Sequence, residues 1–256
     1  RQARIMGGGS AQLNAHRAVS PWDGLADLLG EDRLVFAEGC TNHRWEPLLT
    51  GAMTVDYFKA PDLSGAPVHS EAMTDAVQFW VPPIAGGKVD PRRFSARISG
   101  EFNPAQTATY RGGIHATGPI RLLIDGKIAA DAWTKWTPGR TFFEEGNDEV
   151  TADVPLQAGQ SYAVTIEFRA KPGANLDFSA FRAGIGLPLA VDAIAEAARV
   201  AAAADAVILC LGRSGEWDTE GSDLTDIRLP GQQDALAAAV LAANTRTVVV
   251  LQTGGP

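Results

Sequence analysis

The sequence is poor in the residues that disulfide-rich domains and metal sites depend on. Only two of its 256 residues are cysteines and only four are histidines. Two cysteines do not make a disulfide framework. Cys40 lies in a Gly-Cys-Thr-Asn loop, and Cys210 lies in an apolar run, where we expect a small core residue of a buried strand. The histidines, which show no metal-ligand spacing, are His16, His43, His69 and His115. We therefore expect neither a metal nor another cofactor.

Basic charge and long apolar runs are also scarce. The formal net charge is -8, which argues against a nucleic acid or an anionic membrane as partner. No apolar run approaches the roughly 20 residues that a membrane span needs. With 45% hydrophobic and 20% charged residues, the composition is that of a globular protein. No signal peptide is visible at Arg1, but both ends read as interior structure. The sequence therefore decides neither the cellular compartment nor whether the chain forms a homo-oligomer.

The most informative stretch runs from Ala206 to Gly231. It opens with an apolar run that ends at Gly212, and Leu229-Pro230-Gly231 then leads into an Ala- and Leu-rich helix. Open α/β sheets bind ligands at the carboxyl ends of their strands, so we expect a functional site here. A solvated acidic loop is the alternative. The acids of this loop are Glu216, Asp218, Glu220, Asp223 and Asp226.

The beginning of the chain has the character of an α/β unit. The glycines Gly7-Gly8-Gly9 allow a turn with positive φ and a close approach of the backbone to a ligand or to another strand. A helix is predicted over residues 21–29, because Ser20 is a good N-cap and Gly30 a stop signal. A short strand is predicted over residues 33–37.

From about Ala52 to Phe181 the pattern changes to period-two alternation between turn residues. Residues 94–100 and 161–168 alternate clearly, and Asp125-Gly126 predicts a tight hairpin after the strand at 120–124. Several short strands between turns predict an all-β sandwich or barrel.

From Leu187 onward the helical spacing returns. Two Ala-rich helices, at 192–204 and 232–243, alternate with strands at 206–211 and 247–252. Alternating helices and strands are typical of a parallel sheet with crossover helices.

We therefore predict an α/β sandwich, with a mostly parallel sheet and flanking helices, that is interrupted by an all-β sandwich insert. Residues 1–50 would be its first part, 51–182 the insert, and 183–256 the second part with the acidic loop. Insertion is tolerated where the ends of the insert lie close together. Three successive small domains are the alternative, but each flank is too short for an α/β core of its own.

Five motifs stand out in the two flanking parts. They are Gly7-Gly8-Gly9-Ser10, Ser20 to Leu25, Ala204 to Gly212, Glu216 to Gly221, and Leu229 to Gln233. Together they resemble the carboxyl-terminal α/β-sandwich domain of glycoside hydrolase family 3. The insert resembles the protective-antigen-type β-sandwich module that some family members carry at this place. Its likeness lies in Phe94 to Gly100, Leu123 to Lys127 and Leu156 to Tyr162.

The resemblance implies part of a retaining, exo-acting β-glycosidase, above all a β-glucosidase that acts on terminal β-D-glucosyl residues of short oligosaccharides or glycosides. The family's nucleophile is an aspartate on an amino-terminal TIM-like barrel, which would be the partner of this chain. Without that barrel we expect the chain alone to be inactive. The family's acid/base is a loop glutamate, and Glu220-Gly221-Ser222-Asp223 fits its pattern. Leu224 stands where the family often has arginine.

A carboxylic acid suits this role only if it stays protonated until the leaving-group oxygen needs a proton. A glutamate does so when burial or neighbouring carboxylates raise its pKa above about 4.3. We favour Glu220, with Glu216 as its rival. Asp218 and Asp223 would be helpers or acceptors that fix the loop. We expect Asp226 to be solvated or bonded to backbone.

Substrate contacts are expected from Trp217 and Asp218, and from Trp133 or Trp136 in the insert, whose rings would otherwise be core residues. A second class of function is a non-catalytic carbohydrate-binding module. The insert has no Asp-Asp pair of the kind that calcium-binding adhesin relatives use. We expect it instead to shape the sugar site and to favour short substrates.

Overall fold

The computed structural model describes residues 7–9, 15–171, 177–221, 223–224 and 226–254. These form two compact units. The first unit combines Arg1–Arg44 with Leu189–Pro256, and the second unit is Trp45–Pro188. The chain therefore leaves the first unit after Arg44 and returns to it at Leu189.

The second unit consists of two antiparallel sheets. The larger sheet has the strand order β2-β1-β4-β9-β6-β7, and the smaller has the order β3-β10-β5-β8. Their strands are β1 (Thr50–Phe58), β2 (His69–Asp75), β3 (Val77–Trp80), β4 (Ser95–Phe102), β5 (Ala108–Ala116), β6 (Ile120–Ile124), β7 (Lys127–Asp131), β8 (Val150–Leu156), β9 (Tyr162–Arg169) and β10 (Ser179–Gly186).

One hydrophobic core lies between these two sheets. Ile98 and Ile166 of the larger sheet and Ile114 and Phe181 of the smaller one are fully buried in the same cluster. Along β9, buried Val164, Ile166 and Phe168 share one face, as the alternation predicted. The predicted hairpin at Asp125-Gly126 is confirmed, because β6 and β7 pair antiparallel across it.

The second unit begins and ends at adjacent places. Leu48, just after its start, forms an antiparallel bridge with Gly184 near its end. Two backbone hydrogen bonds extend this pairing, from Leu49 N to Ala183 O (3.1 Å) and from Ile185 N to Pro47 O (2.9 Å). Such neighbouring ends are what an insertion into a loop requires.

The first unit carries the helices. It contains α1 (Pro21–Leu29), α2 (Ala193–Ala203), β11 (Val207–Gly212), α3 (Gln233–Ala243) and β12 (Thr247–Gln252). The strands β11 and β12 pair parallel, with Leu209 opposite Val249. Leu209 and Leu211 pack in a small core with Leu236 and Val240 of α3. All five elements agree with the elements predicted from periodicity.

The start of α1 follows its predicted chemistry. Ser20 is the N-cap, and its hydroxyl accepts a hydrogen bond from Asp23 N (3.1 Å), while Ser20 N donates to the Asp23 carboxylate (2.9 Å). The two bonds form a capping box. Because these bonds favour the ionised form, they hold the pKa of Asp23 below its ordinary value.

Two local predictions are wrong. The strand predicted over residues 33–37 does not form: Arg33 ends a short 3-10 turn, no strand of the described chain pairs with residues 34–37, and Val35 is 76% exposed. Cys210 is an exposed residue and not part of the core. Its strand alternates, so that Leu209 and Leu211 face the helices while Ile208 and Cys210 lie on the opposite face.

The α-helices of the described part of the chain have 9 or 11 residues. None of them has the length and apolarity needed to cross a membrane. Nor do the described residues contain a group of three or more His, Cys, Asp or Glu side chains that could hold a metal ion.

Candidate active site

The acidic loop begins with a tight turn at the carboxyl end of β11. The carbonyl of buried Ser214 accepts hydrogen bonds from Trp217 N (2.9 Å) and Asp218 N (3.0 Å). This turn places Glu216 and Trp217 next to a second segment of the same unit, residues 41–44. The first acids of the loop are thus held in a defined backbone conformation.

Segment 41–44 binds both Glu216 and Trp217. Arg44 N donates to Glu216 Oε2 (2.9 Å), and the Arg44 guanidinium donates to the Glu216 carbonyl (3.1 Å). The indole Nε1 of Trp217 donates to the carbonyl of Asn42 (2.6 Å), and the Arg44 guanidinium carbon lies 5.6 Å from the Trp217 ring centroid. The Glu216 carboxylate therefore has a structural role in fixing this segment.

Asp218 joins the loop to the end of β12. One carboxylate oxygen accepts a hydrogen bond from Gly254 N (2.7 Å), and the other lies 3.7 Å from Nη1 of Arg213. The Arg213 side chain is only 8% exposed and that of Asp218 is 19% exposed. The Asp218 carbonyl also accepts from Gly8 N (2.9 Å). Asp218 thus acts as an acceptor that fixes the loop.

The glycine run supports the segment that carries Glu220. Gly8 forms a parallel bridge with Thr219. Gly9 has φ of +67°, and a Cβ on it would lie 2.7 Å from the Cβ of Glu220. Both the positive φ and the close approach require glycine, as the triple glycine predicted. Glu220 itself is exposed at the surface of the unit.

The described residues 223–224 and 226–228 of the loop are exposed. Asp223 and Leu224 lie at the surface, whereas Ser222 falls outside the described residues. Asp226 accepts hydrogen bonds from the backbone and the guanidinium of Arg228, both at 2.8 Å. The Arg228 side chain, by this bonding, holds the pKa of Asp226 below its ordinary value. Asp226 is therefore bonded to backbone in the turn before Leu229, which was one of its two predicted roles.

A hollow of about 350 Å³ adjoins the loop, at the lower end of the usual range for small-molecule sites. Glu220 is not among its lining residues. Trp217 and Asp226 are, and the other lining residues are Arg213, Leu224, Arg228, Leu229, Pro230, Gly231 and Asp234.

Trp133 and Trp136, the predicted sugar contacts of the second unit, both have cations close to their rings. The guanidinium carbons of Arg121 and Arg169 lie 5.0 and 5.1 Å from the Trp133 ring centroid. The Lys171 ammonium lies 4.2 Å from the Trp136 ring, whose Nε1 donates to a backbone carbonyl (3.2 Å). Both side chains are partly exposed. Their contact with sugar stays a prediction.

Sequence reasoning missed the residues that hold the loop in place. Asn42, Arg44 and Arg213 were not singled out, and Gln233 was quoted only as part of a motif. Asn42 and Arg44 lie some 170 residues from their partners, so spacing gives no signal for them. Two glutamines follow Leu-Pro-Gly at the start of a helix, and the sequence does not show which of them is buried.

A model of the glycosyl hydrolase family 3 C-terminal domain matches residues 1–256. The chain belongs to this family. Among curated relatives, a β-glucosidase of Rhizobium radiobacter is 43% identical over 99% of the chain. A probable β-glucosidase J of Aspergillus fumigatus is 33% identical over 99% of the chain. The chain spans 31% and 33% of the lengths of these two relatives.

Solved structures of the β-glucosidase of Kluyveromyces marxianus are also similar. One of them matches 98% of the chain with a TM-score of 0.86 and 28% identity, and the chain covers 32% of that protein. Another, in complex with glucose, matches with the same TM-score and 27% identity. Both the fold and the family assignment thus extend over nearly the whole chain.

The contact between Asp218 and Arg213 gives a testable prediction. In Asp218→Asn the amide oxygen can still accept from Gly254, but Arg213 becomes a buried cation without its carboxylate. We expect the free energy of unfolding of the unit to fall by about 1–3 kcal/mol, measured by urea denaturation. Asp226→Asn is the matched control, because its ion pair with Arg228 is exposed and should contribute nothing measurable. Equal effects of the two substitutions would contradict this interpretation.

Proposed function

We propose that this chain is the carboxyl-terminal part of a retaining, exo-acting β-glucosidase that hydrolyses terminal non-reducing β-D-glucosyl residues of glycosides or short oligosaccharides. The family assignment and the relatives that carry the name β-glucosidase support this reaction class. Because those relatives are about three times as long as the chain, there is room in them for an amino-terminal barrel. In this proposal the barrel supplies the nucleophile and most of the sugar pocket.

Glu220 is the general acid/base in this proposal. The observation that carries it is the different exposure of the two candidate glutamates, since Glu216 is half-buried and Glu220 is exposed. The Glu216 carboxylate accepts from the backbone of Arg44, which suits a structural acceptor. Glu220, in contrast, is exposed on a segment whose backbone is braced by Gly8 and Gly9.

The reaction requires the same residue to act first as an acid and then as a base. In a retaining enzyme the acid protonates the departing oxygen while the nucleophile attacks the anomeric carbon, and the same group then takes a proton from the water that releases the sugar. The two carboxyl groups must lie about 5–5.5 Å apart. An exposed carboxyl on a backbone-braced loop can face a nucleophile that another domain provides.

Replacing Glu220 tests this assignment directly. In the full-length protein, Glu220→Gln should lower kcat/KM for an alkyl glucoside by about 10²–10⁴-fold, the usual contribution of general acid catalysis. Azide should restore turnover of an activated aryl glucoside by Glu220→Ala, because this anion attacks the glycosyl-enzyme without a general base and releases the sugar as a glucosyl azide.

Glu216→Gln is the matched control, since its amide oxygen can still accept from Arg44 and should leave most of the activity. Nearly full activity in Glu220→Gln, or a greater loss in Glu216→Gln, would overturn the assignment.

The second unit is, in our proposal, a protective-antigen-type insert that restricts substrate length. Its two-sheet core is independent of the first unit's core, and its ends lie side by side. Both facts support an insertion into the domain that carries the acidic loop. An insert beside a sugar site would leave little room for long chains. Trp133 and Trp136 are its candidate sugar contacts, as Trp217 and Asp218 are in the loop.

Removing this unit tests its role. Replacing residues 46–187 by a short Gly-Ser linker in the full-length protein should raise kcat/KM for a long oligosaccharide relative to a disaccharide. The ratio of the two constants is independent of the fraction of enzyme that folds. An unchanged ratio would count against a role of the insert in substrate length.

A further inference from the structure

A buried glutamine lies at the base of the acidic loop. Gln233 is the first residue of α3 and is 3% exposed, although glutamine is mostly an exposed residue type. Its neighbour Gln232 is exposed and makes no side-chain cap hydrogen bond. A buried amide needs partners for its polar atoms, and the partners of Gln233 are the two ends of the loop.

The side-chain amide of Gln233 makes three hydrogen bonds. Its Oε1 accepts from Gly212 N (2.7 Å), and its Nε2 donates to the carbonyl of Gly212 (2.9 Å). The same Nε2 donates to the carbonyl of Pro230 (2.9 Å). Gly212 is the last residue of β11, where the loop begins, and Pro230 is where it ends. One amide group thus joins both ends of the loop to the first turn of α3.

A second amide binds the backbone of Gly212, and we call this point, where β11 meets the loop, the joint. Nδ2 of Asn42 donates to the Gly212 carbonyl (3.1 Å), so this oxygen receives two hydrogen bonds. Asn42 also accepts the indole hydrogen bond of Trp217 through its carbonyl. The joint at Gly212 is therefore connected to the turn that follows it.

We infer that Gln233 is a positioning residue for the acid/base glutamate. The inference rests on the proposed function of Glu220. Gln233 fixes the backbone of Gly212, and the turn at Ser214 begins two residues later. After this turn the chain reaches Thr219 and Glu220, which lie against Gly8 and Gly9. A shift at the joint is carried along this short path to the carboxyl group. Misplacement of a reacting group by about 1 Å can cost about 10²-fold in rate.

Neither glutamate nor leucine, two side chains of similar size, can make the three bonds of Gln233. Glutamate has the same shape, but when ionised it cannot donate to either carbonyl, and its charge repels both oxygens. Leucine would leave all three backbone groups without these bonds. Gln233→Glu is therefore the sharpest variant. Gln232→Glu is its matched control, because it adds the same charge one residue away at an exposed position.

The readout is the leaving-group dependence of the full-length enzyme. A poor leaving group needs protonation, whereas a dinitrophenolate leaves without it. The quantity to measure is the ratio of kcat/KM for methyl glucoside to kcat/KM for dinitrophenyl glucoside. The ratio does not depend on the folded fraction, so a loss of stability alone would not change it.

We expect Gln233→Glu to lower this ratio by about 10–100-fold and Gln232→Glu to leave it unchanged. A ratio in Gln233→Glu equal to that of the control would overturn the inference. If Gln233→Glu gives no folded enzyme, Asn42→Ala replaces it. It removes one donor to Gly212 and should lower the ratio by a smaller factor, and an unchanged ratio in that variant would overturn the inference.

Glu220→Gln, measured in parallel, separates the two proposals. If Glu220→Gln keeps the wild-type ratio, the proposed acid/base role fails, and the positioning role fails with it. If Glu220→Gln lowers the ratio while Gln233→Glu matches its control, only the positioning role fails.

Discussion

The backbone of Gly212 is the point on which the candidate site depends. Where β11 ends, its last N–H and C=O need partners, because buried backbone groups without them are costly. Gln233 and Asn42 provide these partners. A Cβ at position 212 would collide with the carbonyl of Gln252 in the paired strand. The residue must therefore be small, and its polar groups must be satisfied by side chains from elsewhere in the unit.

From this joint outward, the acids of the loop differ in what they contact. Glu216 and Asp218 accept hydrogen bonds from backbone N–H groups of Arg44 and Gly254, and Asp226 is paired with Arg228. Glu220 lies at the surface, close to Gly9. The acids bonded to Arg44, Gly254 and Arg228 help to build the loop. An exposed acid on a braced backbone suits proton transfer with a bound molecule.

Local chemistry made much of this fold predictable. The capping box at Ser20, the hairpin at Asp125-Gly126 and the Ala-rich helices all depend on a few neighbouring residues, which the sequence displays directly. Gly9 was likewise foreseeable, since a run of three glycines indicates close backbone approach. The motif around Glu220 came from family resemblance and not from spacing.

The wrong or missing predictions concern distant contacts. Residues 33–37 have strand-like composition, but no strand among the described residues pairs with them. Cys210 lies on the face of β11 away from the helices, and alternation alone does not say which face is covered. Arg44 and Asn42 act on residues about 170 positions later. Such pairings depend on tertiary structure, so no local pattern predicts them.

The pH dependence of kcat/KM tests the central claim most directly. A general acid must be protonated in the free enzyme, so the alkaline limb of the profile reports its ionisation. If Glu220 is that acid, the alkaline limb that the wild-type full-length enzyme shows on methyl glucoside, whose leaving group needs protonation, should disappear in Glu220→Gln on the same substrate. An alkaline limb that persists unchanged in the variant would contradict the account.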